Sequence, residues 1–323
     1  MKQLVILSGK GGTGKTSVAA ALAHLASAEL SVVLADADVD AANLELVLAP
    51  QRLEENRFMG GQVAVIDPDL CQLCGRCYEV CRFEAVIRSD EGYRIDPLAC
   101  EGCASCFYQC PDQAIYIEEQ QAGLWFQSGT RFGPLFHAHL FAGQENSGKL
   151  VTMVKQNGRL LAQDERRELL IVDGPPGIGC PVIAASAGAD LALLVTEPTL
   201  SGVHDLGRIL GTVHHFRVPA LVLINKADVN PARTAEIEAH CRAEGIDLAG
   251  RLPYDTVVTE AMVRGQPVTA YQPDGAMALG LGEVWARVSK RLDFGDRGSG
   301  DRGSGNRGSG NQVSAIRDQG IGE

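Results

Sequence analysis

Long apolar runs are missing from this 323-residue chain: none approaches the roughly 18 consecutive apolar residues that a membrane-crossing helix needs. The first apolar stretch, residues 4–7, is ended by Ser8, Gly9 and Lys10 and is too short for the core of a secretion signal. Positive charge is scarce as well. Lys and Arg number 29 against 40 Asp and Glu, a formal net charge of −11. That excludes a broad nucleic-acid-binding surface, which needs clustered cations to neutralise phosphates. Cysteine is rare over most of the chain, since only Cys180 and Cys241 of the ten lie outside residues 71–110. Without a targeting segment the expected compartment is a reducing cytoplasm, where closely spaced cysteines bind metal more often than they form disulfides.

What is present is a globular composition with one dense block inside it. Hydrophobic residues at 45% and charged residues at 21% exclude wholesale disorder. The length suits one large or two ordinary domains with a buried core. Short apolar runs at 3–7, 31–35, 169–172, 191–196 and 218–224 read as strands. Helical segments are expected from Lys15 to about residue 28, and at 201–216, 231–244 and 275–292. Strands separated by helices predict an α/β fold with a doubly wound, mostly parallel sheet. Residues 132–141 and 149–154 are also read as strands, with no assigned place in the sheet. The expected division is a discontinuous main domain at 1–59 and 119–293, an insert at 60–118, and a tail at 294–323. The tail contains the repeat GDRGSGDRGSGNRGSGN, which has no apolar residues to bury and is expected to be flexible.

Gly9-Lys10-Gly11-Gly12-Thr13-Gly14-Lys15-Thr16 fits the phosphate-loop pattern GxxxxGK[ST] between a predicted strand and a predicted helix. Glycines let backbone amides converge on phosphate oxygens, and the helix that follows adds its positive end. In such a loop Lys15 contacts the terminal phosphates and the Thr16 hydroxyl holds Mg²⁺. Asp36, Asp38 and Asp40 lie at one strand end and Asp173 at another, where carboxyl-edge ligands bind in parallel sheets.

The form GKGGTGKT, with an early second lysine, resembles the deviant Walker A loop of the MinD/ParA/nitrogenase-iron-protein superfamily. The resemblance extends over about residues 1–290 and includes Asp36-Ala37-Asp38, DGPPGIGCP, TEPTLSGVHDL and INKAD. It implies ATP and Mg²⁺ as ligands, ATP hydrolysis, and a homodimer in which Lys10 reaches the partner's phosphates. It further implies that Asp38 positions the attacking water, that Asp173 lies near Mg²⁺, and that Gly177 swings toward the γ-phosphate. Asn225, Pro253 and Asp255 match its base-binding positions. Asn225-Lys226-Ala227-Asp228 also spells the guanine signature NKxD, so GTP stays open beside the favoured ATP.

The cysteines run Cys71-x2-Cys74-x2-Cys77-x3-Cys81 and Cys100-x2-Cys103-x2-Cys106-x3-Cys110-Pro111. Each run resembles that of bacterial ferredoxins, in which the fourth cysteine crosses to the other cluster. The resemblance implies a small α+β ferredoxin-like insert with two [4Fe–4S] clusters. The first would be held by Cys71, Cys74, Cys77 and Cys110, the second by Cys100, Cys103, Cys106 and Cys81. Structural zinc instead favours two ligand pairs separated by a longer loop. Cys180 is read as a small buried residue, with ligation of a bridging cluster at a dimer axis as the alternative; Cys241 is read as core. His137 and His139 share one face of a strand, as ordinary buried histidines or as a metal or partner site.

The combination predicts an ATPase that gates electron delivery from two clusters to a redox partner protein. The alternatives are an iron–sulfur cluster carrier handing clusters to an acceptor, and a ParA/MinD-like positioning ATPase. Neither a nucleic-acid partner nor a membrane is expected; a membrane-surface role for the last helix is the weaker alternative to core packing.

Overall fold

Strand β1 (Lys2–Ser8) sets the plan of the fold. Leu4 and Ile6 pack into one hydrophobic core and Val5 and Leu7 into a second, and all four are fully buried. A strand covered on both faces reads as a continuous apolar run because successive side chains point to opposite sides. The computed structural model describes residues 1–144 and 146–294; the repeat tail lies outside the described residues.

After β1 the chain forms α1 (Lys15–Ser27), β2 (Val32–Asp36) and the short α2 (Leu44–Leu48). It then leaves the βαβ pattern. The long strand β3 (Gln51–Ile66) runs outward, followed by α3 (Arg76–Val80), β4 (Val86–Ser89), β5 (Gly92–Ile95) and α4 (Ser105–Gln109), and β6 (Ile115–Gly129) returns antiparallel to β3. The expected insert boundaries at 60 and 118 fall within these two strands, so the segment between them is 67–114. The pattern resumes with β7 (Pro134–Leu140), α5 (Ser147–Asp164), β8 (Leu169–Pro176), α6 (Cys180–Ser186), β9 (Leu191–Thr196), α7 (Leu200–His215), β10 (Ala220–Ile224) and α8 (Pro231–Ala243). It closes with β11 (Asp247–Arg251), α9 (Val257–Val263), α10 (Val268–Tyr271) and α11 (Ala276–Arg291).

The main sheet has nine strands in the order β11-β10-β9-β1-β8-β2-β7-β6-β3. Pairing is parallel from β11 to β7, and β6 alone is reversed, running antiparallel to both of its neighbours, β7 and the other arm strand, β3. This is the mostly parallel α/β sheet expected from sequence. One core lies beneath α1, α9, α10 and α11, the other beneath α5 to α8.

Two expectations for the middle of the chain part company. Residues 132–141 do supply a strand, β7, but 149–154 belong to α5. Leu150, Val151, Val154 and Ala162 are fully buried at helical spacing, which a six-residue window does not reveal. The last helix, α11, turns Met277, Leu281, Val284, Trp285 and Val288 into the core, the packing role expected of it. Among the described residues no helix is long and apolar enough to cross a membrane.

Candidate functional site

The glycine loop is anchored from beneath by the end of β10. Asn225 Nδ2 donates to the Thr13 carbonyl at 2.8 Å and Lys226 Nζ to the Gly12 carbonyl at 3.0 Å. With those carbonyls tied back, the loop amides suit an anion. Gly14 has φ 94°, in the left-handed region, and a Cβ there would stand 2.5 Å from Asn225 Nδ2. Both constraints demand glycine. Lys15 is buried, and its ammonium lies 3.8 Å from an Asp38 oxygen.

Three carboxylates converge at the strand ends. Asp36, fully buried, accepts the Asp38 N–H at 3.1 Å and the Leu44 N–H at 2.9 Å, which ties the loop after β2 to α2. Sequence reasoning assigns Asp36 no role of its own; its signal is the position at the very end of a buried strand. Burial and the neighbouring Asp173 push its pKa well above the usual carboxylate range. Burial also raises that of Asp38, against the pull of Lys15. Asp173 is raised to about 6 by burial, opposed by Lys15 and the Thr16 hydroxyl. Neither of its oxygens has a hydrogen-bond partner of good geometry among the described residues. A buried, unpaired carboxylate beside Thr16 fits a divalent cation, whose hard charge takes oxygen ligands.

Of these carboxylates Asp38 opens onto a cleft of about 730 Å³, the size of a small-molecule site, while Asp36 and Asp173 are buried. Gly11, Gly12, Gly14, Lys15, Thr16 and Asp38 line one part of it, with Asp40, Pro175 and Pro176; Asn225, Pro253 and Asp255 line another. The expected phosphate and base residues therefore share one cavity. Asp255 also accepts the Val257 N–H at 3.0 Å at the start of α9. Asp228, the carboxylate of the guanine signature, instead accepts the Tyr254 N–H at 2.7 Å and is not part of the lining.

Five of the expected residues are not part of that lining: Thr13 and Asp173, which are buried, and Gly9, Gly177 and Lys10. Gly9 packs against α7, where a Cβ would meet Asp205 Cβ at 2.4 Å. Gly177, with φ 92°, donates its N–H to the Ser8 carbonyl at 2.9 Å. The Lys10 ammonium lies 2.5 Å from Glu197 and also donates to Thr199 and Ser201 hydroxyls. Glu197 and its second partner, Lys226, form a lock around the loop that sequence reasoning missed.

In the arm, one hollow is lined by Cys71, Cys74, Cys77 and Cys110 together with Ile66, Tyr93 and Ile115. A second is lined by Cys81, Cys100, Cys103 and Cys106 with Val86 and Ile95. Each quartet mixes three cysteines of one run with the fourth of the other, and no disulfide forms among the described residues. Soft thiolates around apolar hollows fit iron–sulfur clusters chemically. Cys241 is fully buried, as expected, with its thiol pushed up to about 11 by burial. Cys180 is not: it is exposed, because it opens α6, whose buried side is Val182, Ala185 and Ser186.

A phosphate loop, a buried lysine and strand-end carboxylates at the carboxyl edge of parallel strands make this a P-loop nucleotide-binding protein. The chain belongs to the CobQ/CobB/MinD/ParA nucleotide binding domain family (CbiA), a family of P-loop ATPases, whose pattern matches residues 4–268. It is 36% identical over 228 residues to "Uncharacterized protein MJ0578" of Methanocaldococcus jannaschii, covering 71% of this chain and 79% of that one. It is 24% identical over 288 residues to the "Iron-sulfur cluster carrier protein" of Pyrococcus abyssi, covering 83% and 79%. The septum site-determining protein MinD of Pyrococcus horikoshii, solved with Mg-ADP, shares the fold with a TM-score of 0.57 at 18% identity over 91% of this chain and 98% of that one.

Proposed function

We propose that this ATPase couples nucleotide-driven dimer switching to electron delivery from two [4Fe–4S] clusters, held in an inserted domain at the arm, to a partner protein. The observation that carries the reading is the pair of hollows lined by the two interleaved cysteine quartets. Bound there, the clusters would supply one-electron carriers. The chain's own residues supply the coupling. Asp36 fixes the loop after β2 to α2, and Val39 accepts the Leu140 N–H at 3.0 Å, joining that loop to the end of β7. β7 pairs with β6, which runs directly into the arm. Movement of Asp38 on nucleotide binding is thereby passed to the cysteine segment through strands, not through a slack linker.

In the cleft, Lys15 neutralises the terminal phosphates of ATP, Thr16 and Asp173 hold Mg²⁺, and Asp38 orients the attacking water. Lys10, released from Glu197, crosses to the partner's phosphates in a homodimer. The engagement of Asp228 with Tyr254 supports adenine over guanine, which a competition titration between ATP and GTP tests directly. The reading as a whole is tested on anaerobically purified protein. About eight irons per chain are expected, and oxidation of the reduced protein by a one-electron acceptor should change rate between ADP and a non-hydrolysable ATP analogue. Equal rates overturn the gating.

A second reading, ATP-dependent cluster transfer, is favoured by the exposure of Cys74 and Cys103 and by the similarity to the carrier protein of Pyrococcus abyssi. ATP-dependent loss of iron to an apo-acceptor would select it over electron transfer.

A further inference from the structure

We infer that Glu45, His137 and His139 form a binding site for one divalent transition-metal ion of the zinc type, clamping α2 to β7. His137 and His139 alternate along β7 and face the same side, where Glu45 of α2 meets them. Glu45 Oε2 lies 3.1 Å from His137 Nδ1, and its Oε1 lies 3.3 Å from His139 Nε2. One ligand atom from each residue can be chosen with all three within 4.8 Å of one another.

The decisive group is His137, which has no exposed surface. Its Nε2 is 2.9 Å from the hydroxyl of Ser128, itself fully buried. Its Nδ1 has no hydrogen-bond partner of good geometry, although a carboxylate oxygen is 3.1 Å away. If Nε2 carries the proton and donates to Ser128, a lone pair on Nδ1 faces a carboxylate. That pairing is repulsive unless a cation lies between them. Anchoring one ring nitrogen by an outer hydrogen bond while the other points at a shared centre is the arrangement that metal-binding histidines use.

The donor set narrows the ion. Two imidazoles and one carboxylate suit zinc and its neighbours such as cobalt, not the all-oxygen preference of calcium or magnesium. Tetrahedral zinc keeps its donors about 3.4 Å apart, and each histidine has one Glu45 oxygen near that separation, Oε2 for His137 and Oε1 for His139. The remaining adjustment falls to His139, whose side chain is 39% exposed and can move. Three protein ligands leave the fourth position to water.

The test uses the full chain with its clusters loaded, equilibrated with Zn²⁺ and then desalted, with zinc and iron measured together by mass spectrometry. One zinc per chain is expected in addition to the iron. His139→Gln and Glu45→Gln should each weaken zinc binding about tenfold or more while leaving iron content and the melting temperature near those of the parent. Co²⁺ in place of zinc should give visible d–d bands without sulfur-to-cobalt charge transfer. Failure to retain zinc, equal zinc in parent and both variants, or sulfur-to-cobalt bands marking capture by cysteines, would each overturn the site.

Discussion

The Lys10 ammonium lies 2.5 Å from the Glu197 carboxylate, whose other oxygen holds Lys226 at 2.9 Å. Burial raises the Glu197 pKa, but the two ammonium groups outweigh it and hold the carboxyl below its ordinary value. The lysine expected to act on a second chain is therefore occupied within its own. Glu197→Gln should free it, so that ATP-dependent dimers form at lower protein concentration in sedimentation velocity runs, whereas Lys10→Ala should abolish them. Unchanged dimerisation in Glu197→Gln would remove the lock from the mechanism. Because the folded-state pKa is depressed, the contribution of the triad to stability is present above the ordinary value of 4.5 and lost as pH falls through the lower, folded value. Denaturant titrations of parent and Glu197→Gln should differ at pH 7 and converge in acid.

Asp173 presents the opposite sign. Its pKa of about 6 in the fold exceeds the ordinary 3.8, so the nucleotide-free protein carries a penalty that is full above pH 6 and relieved as pH falls toward 4. At 1.36 kcal/mol per unit the penalty is of order 3 kcal/mol. Asp173→Asn should therefore melt higher than the parent at pH 7 without nucleotide, and lose the additional stabilisation by ATP with Mg²⁺. A variant that melts lower than the parent under the first condition would show that the carboxylate already has adequate partners.

Much of this was written locally in the chain. β1, β8 and β9 announce themselves because both faces are buried, and the phosphate loop and cysteine quartets are short patterns whose chemistry fixes their spacing. The arm was not legible. β3 begins Gln51-Arg52-Leu53-Glu54-Glu55, all exposed, because an edge strand pairing only with β6 needs no apolar alternation. Lys149 to Val154 looked like a strand because Val151, Thr152 and Val154 are β-branched, while the helical period appears only out to Ala162. The Lys10–Glu197 contact joins residues far apart in sequence, for which no local pattern exists. Glu45 has the same difficulty, being brought to His137 and His139 only by the pairing of β7 with β2.

Gly14 couples backbone conformation to the nucleotide pocket. An alanine there meets Asn225 Nδ2 at 2.5 Å and must adopt φ 94°, which costs about 1–2 kcal/mol for an L-residue before the clash is counted. Gly14→Ala should push the Asn225 amide off the Thr13 carbonyl and weaken nucleotide binding by about tenfold or more, read with a fluorescent ATP analogue. Asn225→Ala should shift affinity in the same direction, since it removes the same brace from the other side. Parent-like affinity in both would show that the loop holds its shape without the brace.

The interleaving of the cysteine runs makes a prediction that a simple sequential grouping does not. Cys110 lines the same hollow as Cys74, and Cys81 the same hollow as Cys103, although each is contiguous in sequence with the other quartet. Cys110→Ala and Cys74→Ala should thus remove the same cluster, and Cys81→Ala and Cys103→Ala the other, each leaving about four of eight irons. The remaining environments differ: the Ala114 N–H reaches the Cys110 sulfur at 3.3 Å, and Cys103 stands 3.5 Å from the Ser105 hydroxyl. Hydrogen bonds to sulfur tune cluster potentials, so the two pairs of variants should give two distinct low-temperature spin-resonance spectra after reduction. If Cys110→Ala instead matches Cys103→Ala, each run serves its own cluster and the two hollows are not the cluster sites.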